Sequence, residues 1–430
     1  MPPACTRQTG VHDTAFRTNR MTSEPFKASL RLTLVLVSIS LADGSRAEET
    51  LVKPGDDVGP LIDRLKPGDT LHFTPGVYTQ ALVLRGVRGT EAAPITLKAD
   101  AGVEIKDPHG SRNGIFLSPA GGGCAWIVID GFRITGARLA GILIGGSHHV
   151  TVRNTTCGDN RRWGIQTWLC DHITVENCHL YGSKTEHGLY FSTTENPVAR
   201  NNRIHDNAGC GIHMNGDRHE GGDGLISNGL IERNVIYNCG EPHGGAGLNM
   251  DGVETTVVRN NLLYNNHSGG ITVFHQGGIR SGTHNTFYHN TVYFQPGEGR
   301  FGLELRDGAT DQTVVNNIFV GGMGPALWID SVSLKGLKSD HNVWFQHGGA
   351  LPVELDGKRL TFADWQRTRA VDTYSLCVDP HFVDVTKGDF RLRTDSPGVD
   401  RGTPLDEVTV DVTGKKRPAG QAPDIGACER

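Results

Sequence analysis

The chain has no long run of like charge, no Cys-x-x-Cys pair, no collagen-like glycine period and no apolar stretch long enough to span a bilayer. Each absence excludes a class. A net charge of -5 without a basic cluster gives no footprint for nucleic acid. Scattered cysteines with no paired spacing do not outline a zinc site. The apolar run Leu32 to Leu41 is too short for a transmembrane helix. Good helix formers do not dominate, and aromatic residues are only 7%. What is abundant is glycine, 57 residues in 430, which suits many short strands joined by turns.

The first 47 residues read as an export signal. Arg17, Arg20, Lys27 and Arg31 precede the apolar run, and Ser45-Arg46-Ala47 places small residues at the -3 and -1 positions of a cleavage site. The polar stretch before Met21 is long for a signal, so Met21 is an alternative start. The expectation is a monomer that is periplasmic, extracellular or at the cell surface, with no membrane span after cleavage. Of nine cysteines, Cys5 leaves with the signal. The rest read as small buried residues near strand starts and turns, with Cys377 and Cys428 the candidate disulfide.

Residues 48–112 read as an N-terminal cap and first coils, with a short helix over Val58 to Leu65. From about residue 113 to 348 the chain repeats. The small residues Gly141, Gly164, Gly188, Gly211, Gly247, Gly270, Gly302 and Ala326 are spaced by 23, 24, 23, 36, 23, 32 and 24. A period in the low twenties marks a solenoid. The two long intervals hold insertions at one place in the repeat, Asp217 to Asn228 and His275 to Asn285.

Each opener is followed by Ile or Leu (Ile142, Ile165, Leu189, Ile212, Leu248, Ile271, Leu303, Leu327) and, two residues on, by a mostly apolar residue. Alternation of this kind is a strand with one face in a core. A second strand in each repeat ends in Asn: Asn154, Asn177, Asn202, Asn234, Asn261, Asn290, Asn317 and Asn342. That column predicts a ladder of stacked amides. A third strand follows. A leucine-rich repeat has a similar period but needs a leucine scaffold throughout the unit, and only one column here is Ile/Leu. The expected fold is all-β: a right-handed parallel β-helix of about 23–24 residues per coil, with short capping helices. Residues 349–430 read as the C-terminal cover a solenoid requires, with a capping-box helix over Phe362 to Arg369.

The coils from Gly114 to Phe345 resemble secreted bacterial right-handed parallel β-helix repeat proteins of the pectate-lyase-like superfamily. EHGLYFS (Glu186 to Ser192), NNRIHDNAGCGIHMNGD (Asn201 to Asp217) and NLLYNNHSGGI (Asn261 to Ile271) carry the resemblance, with the tail DPHFVD, GDFRL and DIGACE. The segments Gly68 to Tyr78 and Ala93 to Ala99 are similar to the start of the chondroitinase-B and alginate lyase group. The resemblance implies a polysaccharide ligand. It also implies a Lys or Arg base, often with Ca²⁺. No Lys or Arg stands in the central rows of this chain; Arg306 is to one side, and Lys184 is in the loop before Gly188.

If the Ile/Leu column faces in, one outward column reads Leu143, Gln166, Tyr190, His213, Asn249, Thr272, Glu304, Trp328. A second reads Gly145, Trp168, Ser192, Asn215, Asp251, Phe274, Arg306, Asp330. A groove beside these columns, walled by both insertions, fits an extended polysaccharide, with Trp168 and Trp328 to stack on sugar rings. Three readings stay open. For elimination from a uronate chain, His213 is the candidate base, Tyr190 the acid, and Asn215, Asn249 or Arg306 the partner of the sugar carboxylate. Gln166 and Glu304 are further substrate contacts. For hydrolysis, Asp217 and Asp251 on adjacent coils are the candidate carboxylates, and turn capping is their plain alternative. The third reading is a non-catalytic carbohydrate-binding or cell-surface protein. Asp217, Glu220 and Asp223 on a Gly-rich loop are candidate Ca²⁺ ligands. His148-His149 reads as a solvated turn.

Overall fold

The computed structural model describes residues 47–240, 244–349 and 351–430. The expected export signal, but for Ala47, lies outside them. Among the described residues no helix is long and apolar enough to cross a membrane.

The chain winds into a parallel β-solenoid with three strands per coil. Two strand series share a 23-stranded sheet, joined where Trp163–Glu176 runs without a break through both; the third series is a separate 11-stranded sheet. Nearly every pairing is parallel and joins one coil to the next, as in Tyr190↔His213↔Asn249. The strand-opening column is in the expected register: Ile142, Ile165, Leu189, Ile212, Leu248, Ile271, Leu303 and Leu327 pair in sequence, and each is buried. Full burial of each such side chain contributes about 1.5–3 kcal/mol. Thr167 is the polar member of the second inward column, and its hydroxyl is satisfied by Thr194 at 2.7 Å.

The small residue before each Ile/Leu has a steric cause. A Cβ on Gly211 would lie 2.3 Å from Ile236 Cγ2 and 2.8 Å from the Gly247 carbonyl oxygen. On Gly270 it would meet the Gly302 oxygen at 2.2 Å. Gly141, Gly164, Gly188 and Gly302 likewise lie against the backbone of the next opener, so a side chain at these positions would push the coils apart.

The amide ladder forms over six of the eight expected positions. Side-chain amides link Asn202 to Asn234, Asn261, Asn290, Asn317 and Asn342 in turn, at 2.9–3.0 Å per step. Asn154 and Asn177, expected in the ladder, do not join it. They sit one residue early, at left-handed turn positions with φ 51° and 52°. Thr155 and Cys178 hold the ladder position there, and the Cys178 N–H still donates to Asn202 Oδ1 at 2.9 Å. Asn suits both places because it tolerates positive φ and also bonds backbone.

The ends are covered. The N-terminal helix is shorter than expected, Gly59–Ile62, because the chain tightens into i→i+3 bonds at Arg64 and Leu65. The C-terminal helix is Phe362–Arg369, as expected, with Thr361 accepting from the Asp364 N–H. The cover also terminates the ladder: Asn342 N–H donates to Ser375 Oγ, and Asp372 takes the indole N–H groups of Trp344 and Trp365. The disulfide expected between Cys377 and Cys428 is not formed. Cys377 is exposed while Cys428 is turned inward, and both thiols are free. Five other cysteines (Cys124, Cys157, Cys170, Cys178 and Cys239) pack in the main core as small apolar residues. His148-His149 is not a solvated turn; it is half-buried, with His149 stacked between Trp126 and His172.

Candidate functional site

Alternation on the strands Trp163–Glu176, Leu189–Glu195, Ile212–Asn215 and Ala246–Asp251 sends Ile and Leu inward and Gln166, Tyr190, His213 and Asn249 outward, in adjacent register. Gln166 is buried in this row, whereas Tyr190, His213 and Asn249 are half-buried. The Tyr190 and His213 rings stack 5.1 Å apart at 27°, and Trp163 stacks on the other side of Tyr190 at 5.9 Å. Asn215 Nδ2 donates to the Tyr190 phenol oxygen at 3.1 Å. With that lone pair engaged by a donor, the phenol keeps its own proton to donate. Burial raises the Tyr190 phenol above its usual range; Asn215 and Ser192 counter this, and the Glu220 and Asp217 charges reinforce it. Tyr190 is therefore a proton donor at neutral pH.

His187, which sequence reasoning did not single out, governs His213. The Cys210 amide N–H donates to His187 Nδ1 at 2.9 Å, so the His187 proton is on Nε2. Nε2 lies 2.9 Å from His213 Nδ1 and donates to it. The His213 proton is then on Nε2, an atom shielded from solvent and without a hydrogen-bond partner. Burial, with Arg162 nearby, pushes His187 down to about 3; burial and then His187 hold His213 well below the ordinary imidazole range. Both rings are neutral. The expected role of His213 as base does not survive, because one of its nitrogens accepts from His187 and the other carries the proton. The signal for His187 was the segment EHGLYFS, one period before GIHMNGD.

Asp251 is buried and accepts from the N–H groups of Gln276, Gly277 and Gly278 at 2.8–3.1 Å. It anchors the second insertion, which is the turn-capping alternative to a catalytic carboxylate. The two insertions bond to each other, Arg218 N–H to the Gly277 carbonyl and Ile279 N–H to the Gly224 carbonyl. They form one wall beside the columns. On it, Asp217 caps its own turn through the His219 N–H, and Asp223 caps another through the Leu225 N–H. Glu220 instead reaches the sheet, where the buried Ser192 hydroxyl donates to it at 2.5 Å. The expected Ca²⁺ set is thus not assembled, because its three carboxylates serve three different partners.

One group of three metal-ligating side chains does converge among the described residues: His187, Cys210 and His213, with ligand atoms within 4.8 Å of one another. A cation on His187 Nε2 would force the ring proton to Nδ1, against the Cys210 N–H. The hydrogen-bond pattern fits an ordered imidazole pair and not a metal centre.

Farther along, Glu304 is buried and receives the Thr272 hydroxyl. Burial raises its carboxyl, against the opposing Thr272 bond and Arg306 charge. Arg306 lies over Phe274 and beside Trp328. Trp168 is half-buried next to Ser192, and Lys184 is exposed in its loop. The face is open. A cavity of about 330 Å³ lies elsewhere, between Tyr293, Phe345 and the segment 379–385.

The family model described as "Right handed beta helix region" matches residues 95–221 and 219–333. Among solved structures, pectate lyase Pel9A is similar at a TM-score of 0.61 and 17% identity, covering 89% of this chain and 96% of its own. A mannuronic acid specific polysaccharide family 6 lyase from human gut microbiota aligns at 0.53 and 14% identity, over 74% and 84%. An alginate lyase from Paenibacillus sp. str. FPU-7 aligns at 0.51 and 18% identity, over 62% and 93%. At these identities the likeness is one of fold. Comparison by sequence with curated proteins finds no match.

Proposed function

The chain belongs to the right-handed parallel β-helix family, and from that premise we propose that it is an exported polysaccharide lyase acting on a uronate-containing glycan along the Tyr190–Asn249 face. The observation that carries this reading is the placement of a carboxylate from the wall, Glu220, on Ser192, which is two residues from Tyr190 on the same strand and therefore on the same face. Elimination needs that pair. The Glu220 carboxylate takes the proton from C5 of the uronate, the released electron pair forms the C4–C5 double bond, the C4–O bond breaks, and Tyr190 O–H protonates the leaving oxygen. Asn215 holds Tyr190, and Asn249 offers its amide to the sugar carboxylate. The neutral His187–His213 pair supports the Tyr190 ring without competing for the proton. That the lyases named above share the fold is consistent with this chemistry and does not by itself assign it.

Hydrolysis of an uncharged glycan is the second reading; Glu220, the wall carboxylate that reaches the sheet and does not cap a turn, favours it. A screen of acidic and neutral glycans separates the two. Unsaturated-uronate absorbance together with new reducing ends means elimination, reducing ends alone mean hydrolysis, and binding without either means a carbohydrate-binding protein. With the degraded glycan in hand, Tyr190→Phe and Glu220→Gln should each lower kcat by roughly 10²–10⁴-fold. Full activity in either variant removes that residue from the mechanism.

A further inference from the structure

The outer face of the 11-stranded sheet carries a second histidine pair, on the strands His179–Tyr181 and Arg203–His205. Register stacks Tyr181, His205 and Tyr237 on successive coils. The His205 ring is clamped between the two tyrosines, 5.5 Å from Tyr181 at 8° and 4.7 Å from Tyr237 at 10°. Its Nδ1–H donates to Asp206 Oδ2 at 2.6 Å, which leaves the Nε2 lone pair free of a proton. That nitrogen meets His179 Nε2 at 2.6 Å. The His179 proton therefore lies on Nε2, and its Nδ1 makes no hydrogen bond among the described residues. Burial, then His205 and the Arg203 and Arg133 charges, holds His179 below the ordinary imidazole range, so this ring is neutral at neutral pH. Both histidines are half-buried, at the solvent side of the sheet.

Two convergent imidazole nitrogens, one backed by a carboxylate that fixes its tautomer, are half of a four-coordinate metal site. We propose that His179 Nε2 and His205 Nε2 bind one late first-row divalent metal ion, Cu²⁺ most tightly, with water in the remaining positions. On binding, the proton moves from His179 Nε2 to Nδ1, both Nε2 lone pairs pass to the metal, and two metal-bound waters leave. The nitrogens need to part only from 2.6 Å to about 3 Å, the separation of two ligands each about 2.0 Å from the ion. Here the pair differs from His187 and His213. There the Cys210 N–H occupies the nitrogen to which the proton would have to move; His179 Nδ1 is open to it. Two cations stand near the pair: Arg203, bonded to the Tyr237 phenol, and Arg133, bonded to the Tyr181 phenol and Glu104. With Asp206 and Glu104 they leave the surroundings without net charge. Nitrogen donors in a neutral setting have little for Ca²⁺ or Mg²⁺, and they rank Cu²⁺ above Ni²⁺ and Zn²⁺. The site lies on a separate sheet from the Tyr190 face and does not depend on how that face is read.

The test titrates Cu²⁺, Zn²⁺ and Ca²⁺ by calorimetry into the full chain, made without a polyhistidine tag, in a buffer that does not bind metal. The electron paramagnetic resonance spectrum is recorded at one equivalent of Cu²⁺. Wild type should take up one equivalent of Cu²⁺ ahead of any weaker binding, with hyperfine splitting from two imidazole nitrogens. Zn²⁺ should bind more weakly and Ca²⁺ not at all. His179→Gln and His205→Gln should each weaken the tight Cu²⁺ equivalent about 100-fold and remove the two-nitrogen spectrum. Asp206→Asn should weaken it about tenfold and keep that spectrum, since it touches the ion only through His205. His179 lies outside the Tyr181–His205–Tyr237 stack, so its variant separates metal binding from ring packing. Wild-type affinity in His179→Gln, a spectrum without two imidazole nitrogens, or no stoichiometric uptake of Cu²⁺ overturns the site.

Discussion

Asn261 makes four hydrogen bonds with one side chain. Its Oδ1 accepts from the Asn234 N–H and the Asn234 amide, and its Nδ2 donates to the Ile231 carbonyl and to Asn290 Oδ1. All of this is buried, so truncation strands several polar groups at once. Asn261→Ala should cost about 2–4 kcal/mol in urea unfolding. Asn177→Ala, at an outside turn, should cost about 1 kcal/mol or less; equal losses would remove the ladder as the cause. Both residues look alike in the repeat. Which of them enters the ladder is set by a single residue of phase, and the spacing alone does not resolve it. His213 shows the same limit. Its outward position was legible from alternation, but its proton is placed by His187, 26 residues earlier, through an amide N–H of a third residue.

At the scale of the element, the insertions matter more than the strands they follow. Period and place in the repeat located both. Their path was not legible, because it depends on Asp251 gathering three successive N–H groups of the second insertion and on bonds between the two insertions. Asp251→Ala leaves those amides without their buried acceptor. The segment Gln276 to Arg280 should then become the first site of limited proteolysis, with activity falling as the wall loosens while the solenoid core keeps its unfolding midpoint. Unchanged cleavage would show that the wall stands without this anchor. The sequence offered Asp251 both as a carboxylate in register with a catalytic column and as a turn cap. The contacts assign it to the cap.

For the whole molecule, buried imidazoles tie stability to pH. His289 accepts from Arg417 of the C-terminal cover at 2.8 Å, beside the buried Arg417–Glu429 ion pair. Burial, then the Arg417 charge, holds it well below the ordinary imidazole range. Its folded pKa is depressed, so the unfolded chain takes up protons that the folded one refuses as pH falls below about 6.5. The contribution is present above that value and is lost on acidification toward the folded pKa. His187 and His213 act with the same sign. The urea midpoint should drop between about pH 7.5 and about pH 5, and His289→Gln should flatten part of that drop. An unaltered slope would exclude His289 as a contributor.

The repeat period, the inward Ile/Leu column, the small strand openers and the C-terminal helix were all determined by the sequence itself. They are local: alternation, steric size and capping act within a few residues or at one fixed period. Tertiary structure alone decided which Asn joined the ladder, that Cys377 and Cys428 stay apart, that Glu220 meets Ser192, and that His213 is neutral with both nitrogens committed. Each of these depends on groups brought together across coils or loops, at separations the period does not specify. Proton positions and carboxylate partners are set by those contacts and by burial, so they exist only once the chain has wound.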